Sequence, residues 1–306
     1  MRLRTLTASL TELFAGSMAS AQDLEIIGQP IDRLTGFQPA ATELMRDIKW
    51  LDSMLLIIIT AISLFVVALL VICIVKYNEK ANPEPATFTH NTPIEVAWTI
   101  IPVVILVFIG AFSLPVLFKQ QEIPEPEVFV KATGYQWYWG YEYPDEGIEF
   151  ESFMVDGAYK IDDEAAGWGD DQEITNAQVM NDVTRAKLEY FGYTEDQFLL
   201  ATDTAVVVPT GKVVVVQVTA ADVIHSWTIP AFGVKQDGVP GRLAELWFAA
   251  DKEGIYFGQC SELCGKDHAY MPITVKVVSE EAYQEWLDGA IDEYAGVPRA
   301  ITVASN

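Results

Sequence analysis

Twelve consecutive residues carry most of the metal-binding chemistry in this chain: Cys260-Ser261-Glu262-Leu263-Cys264-Gly265-Lys266-Asp267-His268-Ala269-Tyr270-Met271. A second imidazole lies upstream, at His225 within Asp222-Val223-Ile224-His225-Ser226-Trp227. The chain has only three Cys and three His, so this clustering is informative. The third of each, Cys73 and His90, falls far away. Thiolate, imidazole and thioether together suit copper, whereas structural zinc takes Cys and His and rarely Met. A mononuclear blue-copper site needs one Cys, two His and a weak axial Met, and this segment has one Cys too many. The extra thiolate is explained if the two sulfurs bridge two copper ions, each capped by one His and one weaker donor. Met271 could be one weak donor and the backbone carbonyl of Glu262 the other. Such a closed set would pass electrons rather than bind substrate. Three other readings compete: a Cys260–Cys264 disulfide in an oxidising compartment, a zinc site, and a copper carrier with a Cys-x3-Cys motif.

The elements that must position this cluster are of two kinds. Residues 1–21 read as an export signal, with Arg2 and Arg4, a moderately apolar stretch and the cleavage pattern Ala19-Ser20-Ala21. Residues 22–49 form an external lead-in. From 50 to 120 the sequence predicts a transmembrane helical hairpin with spans at about 51–75 and 95–118, each long enough to cross ~30 Å of hydrocarbon. Pro102 and Pro115 interrupt the second span, which membrane helices tolerate when neighbours satisfy the freed carbonyls. The positive-inside signal is weak, so the export signal and the acidic domain set the orientation: both termini outside, the short loop in the cytoplasm.

From 121 to 290 short β-branched and aromatic runs separated by Gly, Pro and Asp predict an all-β barrel or sandwich. Residues 156–197 break the pattern as an acidic insertion with a helix-like stretch over 178–191. Ser279 caps a final helix to about Ala290, and 291–306 is a C-terminal tail. Net charge is −24, and it is unevenly placed. Up to Gln120 there are 8 Lys/Arg against 10 Asp/Glu, and beyond it 11 against 33. Such a domain repels nucleic acid and anionic lipid and attracts a basic partner, although plain solubility explains the charge equally well. The run Tyr135-Gln136-Trp137-Tyr138-Trp139-Gly140-Tyr141-Glu142-Tyr143 alternates as a half-buried strand. An exposed Trp ringed by carboxylates is the functional alternative.

Three stretches of sequence resemble a known family: Cys-Ser-Glu-Leu-Cys-Gly-x-x-His-Ala-Tyr-Met-Pro, His-Ser-Trp-Thr-Ile-Pro-Ala-Phe-Gly-Val-Lys-Gln-Asp and Gln-Trp-Tyr-Trp-Gly-Tyr-Glu-Tyr. They are similar to subunit II of haem–copper cytochrome c oxidases of the α-proteobacterial and mitochondrial type, over about Phe37 to Trp286. The resemblance implies a two-helix anchor in the bacterial inner membrane and a periplasmic cupredoxin-like Greek-key barrel holding a dinuclear CuA centre. The ligands it implies are His225, Cys260, the Glu262 carbonyl, Cys264, His268 and Met271. It further implies electron entry from cytochrome c at Trp137 and onward transfer to the haem of subunit I, where oxygen is reduced to water. That reaction is outside this chain. Glu95 matches a carboxylate at the mouth of a proton path, although alone it reads as a polar residue at a membrane boundary. The Glu262 side chain matches a ligand of a magnesium ion shared with subunit I. Asp203 and Asp222 match acids of the cytochrome c docking face, and Asp222 reads equally as a turn residue before a strand. A labile copper chaperone, a ligand-free quinol oxidase subunit and a nitrous-oxide-reducing enzyme are rivals. The helical hairpin and the intact ligand set speak against them.

Overall fold

The computed structural model describes residues 24–294, apart from 85, 162–167 and 169–171. The expected export signal and most of the expected tail lie outside these residues. The chain divides into two compact units, one from 43 to 122 and the other formed by residues up to 42 together with 123 onwards.

The first unit is a hairpin of two helices, α1 (Glu43–Lys76) and α2 (Thr92–Gln121). Both are long and apolar enough to cross a membrane. Helix α1 starts at Glu43, about two turns before the uncharged run begins, because charged residues of its first turns find partners on α2. Lys119 reaches Glu43 at 2.6 Å and Asp47 at 2.7 Å. Helix α2 opens with Asn91, whose side chain accepts the N–H of Ile94, and with Pro93 in the first turn, where a missing N–H costs nothing. Most apolar side chains along the hairpin are exposed, as a lipid-facing or subunit-facing surface requires.

The second unit is built on β structure. A five-stranded sheet runs in the order β4 (Ile148–Ser152), β3 (Tyr138–Tyr143), β2 (Val128–Tyr135), β6 (Val214–Ala220), β9 (Ala244–Phe248). A four-stranded sheet has the order β1 (Ile26–Gly28), β10 (Gly254–Gln259), β11 (Pro272–Val278), β5 (Val206–Pro209). Strands β7 (His225–Ile229) and β8 (Val234–Gly238) form a separate hairpin. The pairs β2–β6 and β5–β11 are parallel, so the chain crosses between layers as a Greek-key sandwich does. The alternation in β3 behaves as the pattern predicts: Trp139, Tyr141 and Tyr143 are buried while Tyr138, Gly140 and Glu142 are half-buried. With Val130, Val216 and Phe248 they belong to the core, each apolar side chain contributing about 1.5–3 kcal/mol on burial.

Two segments differ from expectation. The lead-in contributes β1, an edge strand paired parallel to β10, so the domain begins before the hairpin in sequence. The helix of the insertion, α3 (Asp182–Tyr190), is shorter than the 178–191 stretch, and its Leu188 sits in a buried cluster with Val155, Tyr193, Ala201, Ile255 and Phe257. Helix α4 (Glu280–Tyr294) ends the described chain, with the Ser279 hydroxyl accepting the N–H of Ala282.

Candidate metal centre

The loop 260–271 joins β10 to β11, and β7 brings His225 alongside it. Antiparallel pairing of β10 with β11 fixes both ends of the loop, with Gln259 opposite Pro272. The Cys260 N–H donates to the Met271 carbonyl at 3.3 Å, and the Ser261 N–H to the Ser226 carbonyl at 3.0 Å. These bonds hold three ligand-bearing segments in register. His225 is wholly buried, and its ring lies against Gly134 of β2, where an added Cβ would come within 2.7 Å of the imidazole. Glycine at that position makes the space the ring occupies.

The donor atoms converge in two groups. The Cys260 sulfur lies 3.8 Å from His225 Nδ1 and 3.3 Å from the Glu262 carbonyl. The Cys264 sulfur lies 3.6 Å from His268 Nδ1 and 3.5 Å from Met271 Sδ. The two sulfurs are 3.8 Å apart, well beyond the ~2.05 Å of a disulfide, and both thiols are free. Cys260, Cys264 and Met271 are only 5%, 3% and 1% exposed, and His268 is half-buried. Each sulfur therefore has one imidazole and one weaker donor beside it, and the sulfur–sulfur contact links the two groups of expected donors. His225, Cys260 and Cys264 alone satisfy a metal-ligand geometry, their donor atoms lying within 4.8 Å of one another. The soft, mixed donor set suits copper.

Electrostatics prepare the two thiols differently. Burial opposes ionisation of Cys260. Hydrogen bonding to His225 and to backbone at Glu262 and Ser226 outweighs it and draws the thiol below its ordinary range. At Cys264, burial and then the neighbouring Cys260 charge push the thiol up. The far side of His225 is held as well, with Nε2 2.9 Å from Asp222 Oδ1. A carboxylate in that position fixes ring orientation and tautomer, as the outer partners of metal-bound histidines do.

The remaining predicted residues are spread more widely. Trp137 is half-buried in the turn between β2 and β3, its indole N–H donating to the Cys264 carbonyl at 3.3 Å. The Lys266 ammonium stands 5.3 Å over its ring. The Glu262 side chain is exposed while its carbonyl faces Cys260. Asp203 is turned inward, accepting the Phe153 N–H and the Tyr159 hydroxyl, both at 2.8 Å, and burial holds its carboxyl above the usual range. Glu95 accepts the Asn91 N–H at 3.3 Å in the first turn of α2, a capping contact within the hairpin. One residue escaped the sequence reading. Gln136 donates its backbone N–H to Asp222 Oδ2 at 2.7 Å and its side-chain amide to the Cys264 carbonyl at 2.8 Å. Only its place next to Trp137 could have drawn attention to it.

Comparison with known proteins agrees with this architecture. The family model for the periplasmic domain of cytochrome c oxidase subunit II matches residues 128–166 and 167–278, and the model for its transmembrane domain matches 30–116. Cytochrome c oxidase subunit 2 of Cereibacter sphaeroides is 61% identical over 280 residues, covering 91% of this chain and 88% of that one. The Arabidopsis thaliana subunit 2 is 37% identical over 262 residues, 85% of this chain and 91% of its own. Among solved structures, the periplasmic domain of subunit II of the Bradyrhizobium japonicum cytochrome oxidase is 42% identical with a TM-score of 0.42. That match covers 56% of this chain and 99% of that domain. With two membrane-spanning helices, an external β domain and a Cys–His cluster suited to copper, the chain belongs to the cytochrome c oxidase subunit II family of haem–copper oxidase subunits.

Proposed function

We propose that the chain is the electron-input subunit of a proton-pumping oxidase of the inner membrane. It takes electrons from a basic cytochrome c in the periplasm and delivers them to the haem of subunit I, where oxygen is reduced to water. The observation that carries this reading is the pairing of two free sulfurs 3.8 Å apart, each with its own imidazole and its own weak donor. Two copper ions bound there, a CuA centre, would supply a single redox electron shared between them. Cys260 and Cys264 would hold them through thiolate sulfur, His225 and His268 through imidazole nitrogen, and the Glu262 carbonyl and Met271 would serve as the weak donors. Because His225, both sulfurs and Met271 are buried and every donor is already accounted for, the set leaves no position for substrate, and its role is transfer rather than bond chemistry. Rigid strands at both ends of the loop keep the donors from rearranging when the charge changes.

Trp137 is the entry point: its half-buried ring reaches the Cys264 carbonyl in one hydrogen bond. The acidic domain steers the basic donor toward it, with Asp222 and Asp203 contributing charge from anchored positions near that face. The Glu262 side chain, pointing out to solvent, is free to share a magnesium ion with subunit I. Glu95 marks the proton path in the hairpin. The domain limits follow the same reading with two adjustments: a signal at 1–21, a hairpin anchor widened to 43–122, and a copper domain made of residues 123 onwards together with the lead-in strand β1.

The reading is tested with the full-length copper-loaded chain in detergent, mixed rapidly with reduced cytochrome c. Fast reduction of the copper chromophore that slows with rising ionic strength is expected. A copper-loaded chain that small reductants reduce but cytochrome c does not would contradict it.

A further inference from the structure

Gln136 belongs to two hydrogen-bonded arms that meet at the metal cluster. One arm runs from its backbone N–H to Asp222, and from Asp222 to the Nε2 of His225. The other runs from its side-chain amide to the carbonyl of Cys264, the same oxygen that accepts the Trp137 indole N–H. A carbonyl has two lone pairs and can take both donors. Behind it, Gly265 has φ +130, and an added Cβ would lie 2.9 Å from a Trp137 ring carbon and 3.1 Å from the Gln136 amide nitrogen. The loop backbone therefore passes directly under the indole and the amide, with no side chain between. Gln136 is itself exposed, so burial of its own side chain does not account for this placement.

We infer that Gln136 is a positioning residue for electron entry. Its amide holds the Cys264 carbonyl at the site where the Trp137 indole binds, and so sets the contact through which Trp137 communicates with the Cys264 sulfur. The inference rests on the reading of Trp137 as the entry point. It differs from a docking role in its consequence. A docking residue governs how tightly the cytochrome binds, whereas a positioning residue governs how fast the electron moves once it is bound.

The test uses the assembled oxidase with 5-fluorotryptophan incorporated, comparing Gln136→Met, which keeps the length but has no N–H, with Gln136→Glu and Trp137→Phe. Trp137→Phe identifies the fluorine resonance of Trp137 by its disappearance. Gln136→Met is expected to shift and broaden that resonance and to slow electron transfer within the cytochrome complex about three- to tenfold, the scale of one lost hydrogen bond. KM for cytochrome c and copper content should stay as in the parent. Gln136→Glu, which places an acceptor against an acceptor, should slow transfer at least as much. An unmoved resonance with an unchanged rate, or a change confined to KM, overturns the inference while leaving the entry point intact. If Trp137→Phe itself leaves the rate unchanged, the entry-point reading fails first and takes the inference with it.

Discussion

The copper loop (260–271) and the acidic insertion (156–197) both interrupt the strand pattern, and each is held by different chemistry. In the loop, sulfur and imidazole side chains face one another, with sulfur–sulfur and sulfur–nitrogen separations of 3.5–3.8 Å, and a single backbone carbonyl, that of Glu262, joins them. In the insertion, the buried polar groups are matched to backbone. The wholly buried Lys187 donates to the carbonyls of Gly157 and Tyr159 at 3.0 and 2.8 Å. Asp156 accepts the N–H groups of Ala158 and Tyr159, both at 2.8 Å. A polar group satisfied within the chain stabilises structure, whereas soft donors gathered together are arranged for something the chain itself does not supply. The contrast separates a region built for a ligand from one built for its own integrity.

Breaking the loop should have the largest effect. Cys264→Ser removes one sulfur of the proposed centre, and full-length protein carrying it should lose the proposed two-copper site altogether, read by metal analysis and by loss of the copper absorption bands. Retention of two copper ions would mean Cys264 is not a bridge. Next comes the proposed entry point: Trp137→Phe should slow reduction by cytochrome c by at least about tenfold, a barrier increase of roughly 1.4 kcal/mol, with copper content unchanged. The insertion should respond in the opposite sense. Lys187→Met leaves two carbonyls without their donor and should lower unfolding stability by about 1–3 kcal/mol in a denaturant titration, with the copper spectrum untouched. A changed spectrum would show that the two regions are coupled. The smallest effect is expected from Asp203→Asn. Losing one charge behind the proposed docking face should slow association with cytochrome c by about two- to threefold at low salt and converge with the parent at high salt, where the charge is screened.

Legibility in the sequence follows contact range. The loop announces itself because four donors fall within twelve residues, and residue chemistry alone narrows the metal. His225 was accessible because two of only three His lie in such motifs. The hairpin is readable from apolar length, and β3 from strict alternation that the structure keeps. The Gln136 network is invisible to such reading, since its side chain bonds to a residue 128 positions away. The inward turn of Asp203 is equally invisible: its bonds to Phe153 and Tyr159 span 50 and 44 positions, and nothing local shows it. Strand β1 went unseen because three residues carry no usable periodicity, and its partner β10 lies at the other end of the domain. That strand also dictates how the protein should be studied, since a fragment beginning after the hairpin would lack it.

The most direct test of the account is copper stoichiometry with electron paramagnetic resonance on the full-length chain reconstituted with copper. Two copper ions per chain and one unpaired electron shared equally between two copper nuclei are predicted. A single copper with an ordinary mononuclear spectrum, or a Cys260–Cys264 disulfide that takes up no metal, would contradict it.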